Sequence, residues 1–282
     1  MIDVNVFVVK RIFHLRFKVA RLTRKSNIMN KIITKILFEN DGSYFIPNSN
    51  AVDEVISINE EVIDVNQKID DVNKIVMPTD FIKHIIKDAE NIVIMNKCLC
   101  RYSSDCEDYP LDLGCIFIGK TTKKISRHFC REVTVDEALE HIDKCNEAGL
   151  IHIMGRNKMD TVWMNVRPGE ELLTICNCCP CCCLWKVYPD LSDSIQNDFI
   201  KLPGIDVNCD NNKCIMCKQC IEYCTANALD IVDDKVVINK NICIGCGHCS
   251  NKCPTNAMNI TYDNQDIQTA FDRIDNLVDY KS

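Results

Sequence analysis

Cysteine is the residue whose type and spacing carry chemistry in this chain, filling 21 of its 282 positions. Two stretches, CIMCKQCIEYCTANALDI from Cys214 and CIGCGHCSNKCPTNAMNI from Cys243, share the spacing C-x2-C-x2-C-x3-C. Each cysteine of the first copy recurs 29 residues later, pairing 214 with 243, 217 with 246, 220 with 249 and 224 with 253. A cubane of iron and sulfide needs four thiolates at the corners of a tetrahedron. Two-residue gaps let three consecutive cysteines reach three corners from one tight loop, whose amides point at the sulfides. A fourth cysteine three residues further on starts a helix that leads away, so it serves the other cluster. Gly245 and Gly247 allow the backbone to fold closely against sulfide. His248, in CGHC, is expected to face solvent or to hydrogen-bond rather than to ligate.

Thirteen thiols lie outside these runs, and ten of them form two knots. The first knot is CLCRYSSDCEDYPLDLGC, with Cys98, Cys100, Cys106 and Cys115. The second is CNCCPCCC, with Cys176, Cys178, Cys179, Cys181, Cys182 and Cys183. Side chains of adjacent cysteines diverge, so neighbours rarely hold one metal together, and a disulfide between them is strained. CNCC and CCC therefore point to more than one metal centre, or to a centre with several metals. The expectation is that the two knots meet in space and bind at least one further iron–sulfur cluster. Zinc in the first knot and exposed, reactive thiols are the alternatives. Arg101, beside Cys100, is read either as a donor to a thiolate or sulfide or as an ordinary surface arginine.

Disulfides and zinc fit the whole pattern less well. Disulfides go with a secreted chain, and MIDVNVFVVKRIFHLRFKVARLTRKSN has neither an uninterrupted apolar stretch nor a small-residue cleavage site. Zinc sites favour paired C-x2-C knuckles with a longer spacer, which two interleaved runs of four do not match. A reducing, cytoplasmic setting is expected, with no transmembrane segment. Residues 1–35 carry nine basic side chains against Asp3, a net of +8, so the remainder of the chain holds −15 of its total of −7. The acidic bulk argues against nucleic acid as a partner. The basic segment fits a helix on an anionic membrane through residues 1–28, a segment docked on protein, or residues that precede a start at Met29.

Elements that could position these thiols are legible in part. After an acidic stretch at 36–77, whose valine and isoleucine spacing leaves helix and strand open, Thr79 is expected to cap a helix, TDFIKHIIKDAE. NIVIM at 91–95 reads as a buried strand delivering the chain to Cys98, and it is expected to pair with LLTI at 172–175, before Cys176. TVDEALEHIDKCNEAG has a capping box of Thr134 and Glu137 and a terminating Gly149, and it places Cys145 on the core face as a structural thiol. LIHIM at 150–154 and TVWMNV at 161–166 read as strands around a turn, and DIQTAFDRIDNLVDY as a closing amphipathic helix. The fold class is α+β. Its expected divisions are a basic segment 1–35, an acidic region 36–77, a cysteine-rich α+β domain 78–206, a two-cluster module 207–264 of short hairpins and two short helices, and a C-terminal helix 265–282.

The repeated runs, over about 207–262, resemble the bacterial-type two-cluster ferredoxins. That resemblance implies one [4Fe–4S] cluster on Cys214, Cys217, Cys220 and Cys253, and a second on Cys243, Cys246, Cys249 and Cys224. It has one departure: proline usually follows the fourth cysteine, as Pro254 does, but the first copy has Thr225. Thr225 is expected to add a hydrogen bond near the second cluster and to raise its potential without loss of ligation. CLCR, DLGCIFIG, EAGLIH and CNCCPCCC are similar to the front half of larger ferredoxin-domain proteins from anaerobes, a group without an assigned activity. An electron carrier or electron-transfer subunit serving a partner oxidoreductase is implied, rather than a stand-alone enzyme. The alternatives are an activation or sulfur-handling factor whose CNCCPCCC centre does the chemistry, and a cluster-assembly protein. No dinucleotide or phosphate-binding glycine motif occurs, so no nucleotide cofactor is indicated.

Overall fold

The computed structural model describes residues 9–57 and 77–281. Most of the acidic stretch whose period is ambiguous, 58–76, and the first eight residues of the basic segment lie outside them. Helices α1 (Arg16–Lys25) and α2 (Asn27–Ile33) precede strands β1 (Gly42–Ile46) and β2 (Glu54–Ser57). Next come α3 (Pro78–Lys87), β3 (Ile92–Met95), α4 (Leu99–Ser103), β4 (Ile116–Ile118), β5 (Cys130–Glu132), α5 (Val135–Glu147), β6 (Ile151–Arg156), α6 (Lys158–Met164) and β7 (Leu173–Cys178). The C-terminal third holds α7 (Asp193–Gln196), β8 (Phe199–Lys201), β9 (Ile205–Cys209), α8 (Gln219–Glu222), β10 (Leu229–Val232), β11 (Lys235–Ile238), α9 (His248–Asn251), β12 (Met258–Asp263) and α10 (Ile267–Leu277). The fold is α+β.

Seven strands form the main sheet in the order β5-β3-β4-β7-β6-β1-β8. All its neighbours are antiparallel except β1 and β8. One face is covered by α3, α5 and α10, which bury Phe81, Ile82, Ile85, Ile86, Ala138, Ile142, Phe271 and Ile274 against Tyr44, Ile94, Ile116 and Ile175. Each isoleucine or phenylalanine among them contributes about 1.5–3 kcal/mol on burial. The same apolar cluster continues through Val207, Met258, Ile260 and Tyr262 into a second sheet of order β2-β12-β9. On the opposite face, α1 and α2 and the 3-10 helix Leu184–Asp190 enclose Ala20, Ile33, Phe38, Trp185 and Tyr188 against Phe45, Ile153 and Phe199. Ion pairs fasten α1 there, Arg21 to Asp190 at 3.2 Å and Arg24 to Asp193 at 3.3 Å. The described part of the basic segment thus docks on the chain's own protein. No helix among the described residues is long and apolar enough to cross a membrane.

Local chemistry explains where the elements differ from expectation. The capping box of α5 is present: Thr134 Oγ1 accepts from Glu137 N at 3.2 Å, and Glu137 Oε2 accepts from Thr134 N at 2.8 Å. Thr79, however, does not cap α3. Pro78 is already helical, its fixed φ suiting the first turn, and Met77 takes the cap while Asp80 Oδ2 accepts the Met77 N–H at 2.8 Å. TVWMNV is not a strand. Asn157 Oδ1 caps α6 by accepting from Met159 N at 3.2 Å, and Asn165 ends the helix at φ 53°. Two asparagines thereby override the β preference of threonine, valine and tryptophan. Nor do β3 and β7 pair directly, because β4 lies between them, with Ile94 opposite Ile116 and Ile116 opposite Ile175. The chain after Cys98 is long enough to return as a strand, and the end of β3, the start of β4 and the end of β7 meet at one sheet edge.

Candidate metal centres

The two cysteine runs adopt the same backbone. Met216 and Gly245 have φ of 56° and 60°, Lys218 and Gly247 of 64° and 87°, and Asn227 and Asn256 of 53° and 50°. All three pairs are 29 residues apart, so the repeat in sequence is a repeat in conformation. The second run meets its two left-handed turns with glycine; the first run forces methionine and lysine into them. The fourth cysteine of each run accepts an amide hydrogen bond from four residues on: Ala228 N to Cys224 Sγ and Ala257 N to Cys253 Sγ, both at 3.2 Å. Such bonds favour thiolate. At Cys253 burial opposes this, yet the amides of Met258, Thr255 and Ala257 hold the thiol below its usual range.

Each run closes with a cysteine of the other. One cavity of about 20 Å³ is lined by Cys214, Cys217, Cys220 and Cys253. A second of about 20 Å³ is lined by Cys224, Cys243, Cys246 and Cys249. The walls are Val236, Ala257 and Met258 around the first and Val207, Leu229 and Ile238 around the second. Burial pushes Cys246 up to about 12. Cys217 is exposed, whereas Cys246 and Cys249 are buried. Sequence reasoning missed Cys209, which also lines the first cavity from the end of β9. Lying five residues ahead of the run, it has no spacing signal. His248 departs from expectation: it is buried, its Nδ1 has no partner, and burial lowers its pKa to about 3. Thr225 Oγ1 lies 3.8 Å from Cys246 Sγ.

The ten upstream cysteines separate into two groups. Cys106, Cys179, Cys181 and Cys182 have their Sγ atoms all within 4.8 Å of one another, and Cys106 and Cys181 are 3.6 Å apart. No other described group of three or more such side chains is this tight, the ferredoxin-type runs included. Tetrahedral coordination at about 2.3 Å from metal to sulfur puts ligand sulfurs about 3.8 Å apart, so this set has the size of one metal ion. Adjacency of Cys181 and Cys182 does not prevent their convergence. A turn over 180–182 folds them back, with Cys182 N donating to Cys179 Sγ at 3.4 Å. Cys179 is held well below the usual thiol range, first by a hydrogen bond with the Cys181 thiol and also by Cys182 N–H and Arg101, while Cys181 is pushed up.

The other six form a chain of thiol contacts running Cys98, Cys100, Cys183, Cys178, Cys176, Cys115. Cys183 Sγ and Cys178 Sγ are 3.0 Å apart. Strand alternation explains CNC: Cys176 and Cys178 point to one face of β7, and Asn177 to the other. Asn177 there donates from Nδ2 to Gly114 O at 2.7 Å, tying β7 to the residue before Cys115. Arg101 is no surface arginine. It is 0% exposed, donates from Nη1 to Asn177 O at 3.0 Å and from Nη2 to Leu113 O, and leaves Nε without a partner. Cys145 is a buried core thiol packed near Cys179 and Cys182, and Cys130 is a buried thiol at the start of β5, opposite Met95 of β3.

A family model described as a 4Fe-4S dicluster domain matches residues 213–265. Among curated proteins, none matches the chain. The chain therefore contains a ferredoxin-type 4Fe-4S domain, with a cysteine group outside it suited to metal, and it is an iron–sulfur protein.

Proposed function

We propose that this iron–sulfur chain is a cytoplasmic low-potential electron-transfer protein with two [4Fe–4S] clusters in its ferredoxin-type domain and further metal in its cysteine-rich part. Cys214, Cys217, Cys220 and Cys253 would hold one cluster, and Cys243, Cys246, Cys249 and Cys224 the other. The carrying observation is that each small cavity takes three thiols from one run and the fourth from the other. The amides aimed at Cys224 and Cys253 fit a thiolate-bound anionic group. When bound, such clusters supply reversible one-electron exchange at potentials that span roughly −700 to +450 mV among proteins.

The chain's own residues arrange the rest. Exposed Cys217 opens the first cavity towards solvent and a docking partner, while buried Cys246 and Cys249 exclude water from the second. Ala226, Ala228, Ile244 and Cys246 then share one packed cluster with Cys178, Cys183 and Trp185, which joins the second cavity to the upstream thiols. The net charge of −15 beyond residue 35 would steer a basic partner oxidoreductase on encounter. Neither nucleic acid nor a nucleotide enters this reading. The upstream set Cys106, Cys179, Cys181 and Cys182 would hold one further metal.

Interleaved ligation is tested by Cys224→Ser. It should disturb the cluster on Cys243, Cys246 and Cys249 and leave that of its own run with an unchanged spectrum. Anaerobic iron and sulfide analysis with EPR of the reduced protein reads this. Loss of the cluster on Cys214, Cys217 and Cys220 instead would reverse the assignment, and a colourless wild type carrying only zinc would end the reading altogether. Thr225→Val probes the hydroxyl 3.8 Å from Cys246. Losing one hydrogen bond of about 1 kcal/mol should lower the potential of that cluster by about 40 mV, with the other unmoved in a redox titration. Equal potentials in both proteins would remove the role given to Thr225.

One observation favours a second reading, an activation or sulfur-handling factor rather than a carrier. The six-thiol group faces an apolar cavity far larger than either ferredoxin-type one. A cluster-assembly role has no comparable support.

A further inference from the structure

The six-thiol group, with Cys179 of the other group beside it, lines a cavity of about 360 Å³. Its floor is the sheet edge where β3, β4 and β7 meet, bringing Cys98, Cys115, Cys176 and Cys178, and its side is α4 with Cys100. Its roof is the N-terminal segment, through Val9, Phe13, Arg16 and Val19, and Trp163 and Trp185 complete the apolar wall. By the same measure each cavity lined by a ferredoxin-type set is about 20 Å³. The chamber exceeds either of them by more than tenfold, and its six thiols are two more than one cubane uses.

Charge points the same way. Arg101 is wholly buried, its hydrogen-bond acceptors are the carbonyls of Asn177 and Leu113, and its Nε has none. The groups that surround its charge are Cys98, Cys179 and Cys115. A second guanidinium, Arg16, hangs from the roof towards Cys100, Cys183 and Cys182. Its Nη1 donates to Phe13 O at 2.9 Å, it lies over the Phe13 and Phe17 rings, and its Nε is also buried without a partner. The acid on the chamber wall, Asp160, is already engaged by Trp163 Nε1 at 3.1 Å and Thr174 Oγ1 at 2.9 Å. A buried cation and a half-buried one close together are a heavy cost, because a charge out of water needs a counter-charge. Thiolates on a metal–sulfide core provide that counter-charge, and the polarity of the site requires the core to be anionic.

We infer that Cys98, Cys100, Cys115, Cys176, Cys178 and Cys183 together bind one polynuclear iron–sulfur centre of more than four irons, capped by Arg16 and Arg101. This rests on the iron–sulfur reading of the chain and adds a site beside the four-thiol set of Cys106, Cys179, Cys181 and Cys182, the two meeting at Cys179. Because the roof is the N-terminal segment, that segment belongs to the centre.

The test is iron and acid-labile sulfide per full-length chain, prepared without oxygen, with Mössbauer spectra of the same samples. Cys176→Ser/Cys183→Ser should lose more than four irons per chain relative to wild type, with the eight irons of the ferredoxin-type domain retained. Cys106→Ser/Cys182→Ser should keep that chamber iron. Arg16→Met leaves all thiols in place and covers the case in which the double variant fails to fold. Removing one positive charge should shift the chamber signal to lower potential, by tenfold or more in its reduction equilibrium, about 59 mV for one electron. A loss of four irons or fewer from Cys176→Ser/Cys183→Ser, or an Arg16→Met signal at the wild-type potential, overturns the inference while the ferredoxin-type reading stands. Wild type without those eight irons sinks both.

Discussion

Stripping metal from the anaerobic protein with a chelator should unfold the ferredoxin-type domain and loosen the main sheet with it. Each cavity in that domain is lined by thiols that double as wall, and Cys220 and Cys249 belong to the apolar cluster that also contains Phe81, Ile142 and Phe271. Structural metal on thiolates contributes about 10–16 kcal/mol in small zinc domains, which matches or exceeds the whole stability of a typical domain, about 5–15 kcal/mol. Loops whose four thiolates repel one another cannot stay collapsed without it. β12 is the conduit, since it pairs with β9 on one side and with β2 on the other, and Asp53 Oδ2 accepts Ile260 N at 2.8 Å. Far-UV circular dichroism should lose strand signal on chelation, and limited trypsin digestion should cut first at Lys213, Lys218 and Lys252. A stripped protein with the melting curve of the loaded one would show that packing alone holds these loops.

Why the ferredoxin-type half was legible and the upstream half only partly so has a physical origin. Within each run the cysteines are two or three residues apart, so the loop that presents them is nearly determined by their spacing, and a second copy confirms the pattern. The fourth cysteine is the one thiol drawn from the other run. The helix expected to start at it instead ends just before it, α8 at Glu222 and α9 at Asn251, so the exchange is carried by the turn that follows rather than by a helix direction. Upstream, Cys106 joins Cys181 across 75 residues through a sheet edge that depends on β4 slipping between β3 and β7. No spacing encodes that insertion. The alternation of Cys176, Asn177 and Cys178 on a strand does mark two faces, and the turn at Pro180 marks a change of direction, yet neither tells which group the later cysteines join. Arg101 was equally opaque, because a buried guanidinium and a surface one have the same letters around them. Met216 and Lys218 hid a conformation that their partners Gly245 and Gly247 displayed openly.

Arg101→Met should weaken metal retention in the upstream part by about a hundredfold or more and leave the ferredoxin-type clusters untouched. Among the described residues the guanidinium has no carboxylate as a hydrogen-bond acceptor, so in the loaded protein the charge compensating it would be that of the nearby thiolates, Cys98, Cys115 and Cys179. Burial would lower its pKa, and the charges of Cys98, Cys179 and Cys115 raise it, for a net shift upward. Removing one partner of a buried, hydrogen-bonded charge pair costs about 3–5 kcal/mol, equivalent to about two to four powers of ten in an equilibrium constant. Methionine fills similar volume without the charge, so a cavity effect is small by comparison. Arg101→Lys separates charge from shape. Lysine keeps the positive charge but cannot span both the Asn177 and Leu113 carbonyls with a planar fork, so it should retain more metal than methionine and less than wild type. Competition against a chelator, read as upstream iron lost at fixed time while the reduced ferredoxin-type signal persists, measures all three. If Arg101→Met holds its upstream metal as firmly as wild type, the arginine is a structural tie between β7 and the loop before β4, and the counter-charge must be sought at Arg16.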